Sequence, residues 1–140
     1  MCVHSLVLAD DHPMIREHIR DLLASEPEIR VTGEVSDGLA LLQMVEFTRD
    51  CPDIIILDIT MPRMHGIEAA RRIKAQHPEI KIIVLTIHKE REYLEEAVSA
   101  GAEGYVLKDV MDFELPVAIS DVLAGRRFVS GYFRSGGDDK

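Results

Sequence analysis

The chain has 140 residues, 46% of them hydrophobic and 29% charged, with two cysteines and a formal net charge of -9. That length suits one domain with its own core and no need of disulfide or metal staples, and no apolar run reaches the ~18 residues of a membrane span. The excess of 25 acidic over 16 basic residues argues against a surface that grips phosphate backbones broadly, yet leaves room for a divalent cation wherever carboxylates converge.

In chain order, Leu6-Val7-Leu8-Ala9 comes first. A short continuous apolar run of this kind predicts a strand buried on both faces, and it ends in Asp10-Asp11. Ile15, Ile19, Leu22 and Leu23 then fall at i, i+4, i+7 and i+8, the stripe of an amphipathic helix. After Pro27, the stretch Ile29 to Val35 alternates apolar with polar and predicts an edge strand. Leu41, Leu42 and Val45 mark a helix after the Asp37-Gly38 turn. Pro52 precedes the strand Ile54 to Leu57, which ends in Asp58. Ile67, Ala70 and Ile73 predict the next helix, Pro78 closes it, and the strand Ile80 to Leu85 runs into Thr86. Leu94, Ala97 and Val98 form a further helical pattern, with Gly101 placed to cap it in the left-handed conformation. The strand Tyr105 to Leu107 delivers Lys108, and Leu115, Ala118, Ile119 and Val122 define the last helix.

Five such strand-helix units imply an α/β domain with a five-stranded parallel sheet and helices on both faces. Sites in these sheets form at the carboxyl ends of the strands. With strand order 2-1-3-4-5, Asp10, Asp11 and Asp58 converge across neighbouring strands ~4.8 Å apart. At ~5 Å and an effective dielectric near ~20, each carboxylate pair repels by about 3 kcal/mol. Lys108 can supply one positive charge, and carboxylates with a carbonyl and waters make a Mg²⁺ style of site. An aspartate is a nucleophile toward phosphorus. A cation and Lys108 would neutralise phosphoryl oxygens, and the Thr86 hydroxyl would hydrogen-bond one of them.

Asp10-Asp11, Asp58 with Met61-Pro62 and Gly66 behind it, Thr86 and Lys108 together resemble the CheY-like receiver domain of two-component response regulators, over roughly residues 4 to 125. The stretches Leu8-Ala-Asp-Asp-His-Pro13 and Ala124-Gly-Arg-Arg-Phe-Val are similar to the NarL/LuxR (FixJ) subgroup, whose members carry a C-terminal helix-turn-helix domain. The resemblance implies that Asp58 accepts a phosphoryl group from a sensor histidine kinase. Mg²⁺ would be held by Asp10, Asp11, Asp58 and the backbone carbonyl of Thr60. Thr86 and Lys108 would contact the phosphoryl group. Thr86 and Tyr105 would act as the switch, with Tyr105 turning inward, and Thr60 and His88 would tune the lifetime of the phosphoaspartate. It further implies a cytoplasmic phosphoprotein that switches homodimerisation through the face of its fourth helix, fifth strand and fifth helix, or through that of its first and fifth helices. DNA would be reached only through a domain beyond this chain. Asp109 after Lys108 departs from the proline common in the family and leaves the following loop less constrained.

Simpler readings stand beside these. Asp11 is also a good helix cap before Pro13, Thr86 an ordinary strand-end residue, and Tyr105 half-buried packing. His12 reads as a surface histidine, since Mg²⁺ prefers oxygen. Met61 and Met64 read as loop packing. Cys2 and Cys51 lack metal-ligand spacing and fit a reducing compartment. An aspartate-nucleophile phosphatase would want a second Asp where Thr60 stands. A flavodoxin-like flavin site would be repelled by Asp10-Asp11-His12-Pro13. A stand-alone module acting only through protein contacts also remains. Residues 1–125 are expected to form the receiver, and 126–140 a linker or tail toward an output domain, with Phe128, Val129 and Phe133 as anchors that can alternatively pack it on the receiver.

Overall fold

The expected alternation is realised in the order β1 (His4–Ala9), α1 (Pro13–Leu23), β2 (Ile29–Val35), α2 (Gly38–Phe47), β3 (Ile54–Leu57), α3 (Gly66–Gln76), β4 (Lys81–Thr86), α4 (Arg91–Ser99) and β5 (Gly104–Leu107). A 3-10 turn (Lys108–Val110), α5 (Met111–Leu123), β6 (Phe128–Val129) and a short α6 (Gly131–Arg134) complete it. The computed structural model describes residues 3–47, 51–62 and 64–134. Cys2 and the part of the expected tail at 135–140 lie outside the described residues.

The sheet is wholly parallel, in the order β2-β1-β3-β4-β5-β6. This corrects the five-stranded expectation by one strand. The extra strand has two residues, Phe128 opposite Gly104 and Val129 opposite Tyr105, and two residues are too few to carry a periodic signal. It comes from the segment that the sequence assigns to a tail. β2 is an edge strand, as its alternating pattern predicts.

The pleat divides the core. Leu6, Leu8, Ile54, Ile56, Ile83 and Leu85 face the layer of α1 and α5. Val7, Ile55, Leu57, Ile82, Val84 and Tyr105 face the layer of α2, α3 and α4. Because β3 and β4 are buried on both sides, their side chains are apolar without interruption until the strand ends. Polarity is therefore confined to the rim. Gly101 adopts φ +102°, and a Cβ there would meet the Lys74 side chain at 3.1 Å; glycine ends α4 in the left-handed region as expected.

Candidate functional site

The register sets the site. Ala9 is level with Leu57, so Asp10 and Asp58 leave adjacent strands side by side. The ladder continues past the strands, with Asp58 N–H donating to Ala9 O at 2.9 Å and Asp10 N–H to Val35 O at 3.1 Å. Both aspartates are buried. Thr86 is level with Leu107, so Lys108 follows one position beyond it.

Ligand atoms of Asp10, Asp11, His12 and Asp58 all lie within 4.8 Å of one another. The Lys108 ammonium stands 2.9 Å from Asp10 Oδ2 and 3.4 Å from Asp58 Oδ2. Only the second contact has hydrogen-bond alignment. Asp10 Oδ2 and Asp11 Oδ1 are thus buried carboxylate oxygens with no hydrogen bond. One lysine, paired with Asp10 and Asp58 and set against three carboxylates in all, leaves excess negative charge at a partly desolvated place. Two carboxylate oxygens without a hydrogen bond, in a set of three carboxylates, fit a hard cation such as Mg²⁺. Thr60, whose carbonyl is the remaining expected ligand, sits at the mouth, its N–H donating to Asp58 Oδ1 at 3.3 Å.

Burial raises the Asp58 carboxyl above its usual value. The Lys108 charge opposes this, and the neighbouring Asp10 adds to it. Asp11, Asp58, Lys108, Ile15, Thr60 and Ile87 line a cleft of about 450 Å³. Across its mouth Thr60 Oγ1 and His88 Nε2 lie 3.1 Å apart, bridging the β3-α3 and β4-α4 loops.

Thr86 is fully buried, and its hydroxyl oxygen accepts from His88 N–H at 3.2 Å. Tyr105 does not touch the carboxylates. Its ring is buried in the α2-α3-α4 layer, and its hydroxyl donates to the His88 carbonyl at 3.0 Å. Burial, with Glu90 and then Tyr93 nearby, pushes that phenol well above its ordinary value. Thr86, His88 and Tyr105 are therefore joined through one loop.

Two residues add to the sequence reading. His12 is 58% exposed, yet its Nδ1 lies 2.8 Å from Asp10 Oδ1 and 3.1 Å from Asp11 Oδ1. It is the N-cap residue of α1 but makes no side-chain cap bond, so its ring is turned to the acids. Asp11 is not the cap. Arg16 donates to the Asp10 carbonyl at 2.6 Å and to Glu34 Oε1 at 2.9 Å. It ties α1 and β2 to the end of β1. His12 and Arg16 follow Asp10 by two and six residues, but only the folded path shows where their ends reach. Met61 is buried and Met64 packs against the core, as loop packing.

Residues 6–120 match the response regulator receiver domain family. The chain is 36% identical over 124 residues to the transcriptional regulatory protein DegU of Brevibacillus brevis, covering 89% of this chain and 52% of DegU. The chain spans about half the length of the curated relatives it matches. A LuxR-family two-component response regulator from Aurantimonas sp. superposes with a TM-score of 0.83 at 36% identity, covering 90% of this chain and 89% of that one. The isolated receiver of RcsB from Salmonella enterica, solved in the presence of phosphomimetic BeF3⁻, gives 0.83 at 30% identity, covering 91% and 93%. RcsB has also been solved as two dimers bound to two parallel DNAs.

Proposed function

Since the chain belongs to the response regulator receiver family of two-component systems, with relatives of the NarL/LuxR type, we propose that it is a phosphorylation-driven switch whose phosphoacceptor is Asp58. The observation that carries this is the cluster of three carboxylates, two of them paired with Lys108, with two buried oxygens left without hydrogen bonds.

Asp10, Asp11, Asp58 and the Thr60 carbonyl would hold Mg²⁺, which supplies charge neutralisation for the phosphoryl oxygens. An Asp58 carboxylate oxygen attacks the phosphorus of a phosphohistidine. The new O–P bond forms as the N–P bond breaks, and the imidazole leaves. Lys108, within reach of both Asp10 and Asp58, balances the added charge. The buried Thr86 hydroxyl, at the end of β4, donates to a phosphoryl oxygen. Water later attacks phosphorus and returns the Asp58 carboxylate and inorganic phosphate. The Thr60–His88 bridge spans the water's approach, which gives both residues a part in the lifetime. The chain turns over no other substrate in this reading.

The donor is a sensor histidine kinase, in the cytoplasm. The phosphorylated form pairs with a second copy through α1 and α5. These helices are joined by His18 Nε2 to Asp112 Oδ1 at 2.6 Å, and they leave Met14 81% and Phe113 82% exposed. DNA is reached through a helix-turn-helix domain and not through this receiver.

Beryllofluoride with Mg²⁺ tests the pocket. We expect saturable binding that Asp58→Asn abolishes and that Asp11→Asn weakens at least tenfold. Binding unchanged in Asp58→Asn would overturn the assignment.

A further inference from the structure

We propose that Phe128–Arg134 is a docked latch that reads the state of the acidic pocket. This deepens the phosphoacceptor reading and rests on it.

The segment is built into the switch by three sets of contacts. Its backbone extends the sheet: Phe128 N–H donates to Glu103 O at 3.0 Å and Ser130 N–H to Tyr105 O at 2.8 Å. Ser130, fully buried, donates its hydroxyl to the Glu114 carboxylate and accepts from Leu107 N–H, while Gly131 N–H donates to Glu114 Oε2 at 2.9 Å. Thus β5 and α5 both grip the turn before α6. The rings come next. Phe133 is buried and meets Tyr105 edge-on, with centroids 5.5 Å apart at 78°. Finally, cations from the far side of the pocket loop reach over. The Arg91 guanidinium lies 5.9 Å from the Phe133 ring centre, and Lys89 Nζ lies 5.4 Å from that of Tyr132. Lys89 also pairs with Asp109 at 3.2 Å, next to Lys108.

Tyr105 is therefore clamped between the His88 carbonyl and Phe133. His88 N–H in turn bonds the Thr86 hydroxyl. A phosphoryl group on Asp58 that draws Thr86 toward it must act on the loop carrying His88 and Lys89. Both of those residues bear on the docked segment, His88 through Tyr105. Two sites that share one packed arrangement are thermodynamically coupled, and the coupling is reciprocal.

The test is hydrogen exchange on the full chain with and without beryllofluoride and Mg²⁺, following 128–134 and, separately, the peptide containing Asp58. We expect exchange in 128–134 to change at least threefold when the Asp58 peptide responds. Phe133→Ala, with Lys89→Gln as a milder second variant, should shift beryllofluoride affinity at least threefold. The signs must agree. If beryllofluoride slows exchange in the segment, loosening the latch weakens beryllofluoride binding; if it speeds exchange, loosening strengthens it. A responsive Asp58 peptide with unchanged 128–134, unchanged affinity in both variants, or opposed signs overturns the latch alone. No response at the Asp58 peptide overturns the phosphoacceptor reading and the latch with it.

Discussion

Asp58 carries an electrostatic load even before any chemistry. Its folded-state pKa is raised from 3.8, first by burial and then by Asp10, against the pull of Lys108. The folded protein therefore holds this proton more tightly than the unfolded chain does. The penalty is fully present at pH values above the raised pKa and disappears as pH falls toward and below 3.8. Asp58→Asn should consequently stabilise the metal-free protein at pH 7. Thermal melts from pH 7 down to 4 should show the gap to wild type closing. A constant gap would point to packing instead. Lys108→Met removes the largest pull in the opposite direction. It should move the Asp58 titration further up and destabilise the protein at neutral pH, both readable by carboxyl NMR and melting.

The loops between elements set the site as firmly as the strands do. A Cβ on Gly66 would stand 2.1 Å from the Asp58 carbonyl oxygen, and Gly66 N–H donates to Ile59 O at 2.7 Å. No side chain fits there without moving the β3-α3 loop. Gly66→Ala should lower stability by about 3 kcal/mol, seen as a lower urea midpoint at unchanged slope, and should weaken beryllofluoride binding with it. The bridge between Thr60 and His88 is lighter, one exposed contact between two loops. Thr60→Ala should leave stability within about 0.5 kcal/mol and speed loss of the phosphoryl group several-fold, measured by decay of the phosphoprotein after the donor is removed.

At the scale of the molecule, net charge and metal act together. An acidic chain of -9 with a converging carboxylate pocket should gain stability from Mg²⁺ by mass action, about 1.4 kcal/mol at ten times the dissociation constant. That gain should vanish in Asp11→Asn. Exposed Phe113 on α5 and Met14 on α1 would give the proposed pairing face its apolar surface. Phe113→Ser should keep beryllofluoride binding and lose the beryllofluoride-dependent rise in mass by light scattering.

Residue spacing by itself determined the strand-helix alternation, the edge position of β2 and the placing of Asp10, Asp11, Asp58, Thr86 and Lys108 at one rim. The reason is that continuous apolar runs must be buried on both faces, so polar residues can only collect where those runs end. Gly101 was legible for a similar reason, since it follows the last apolar turn of a helix. Only the tertiary structure decided where long side chains and short elements go. His12 folds back on the acids and Arg16 spans β1 and β2 because their reach depends on the twist of α1 over the sheet, which no local pattern records. β6 exists because β5 offers an unpaired edge and Glu114 a partner for Ser130. A two-residue strand has no period of its own, and its pairing partner lies more than twenty residues away.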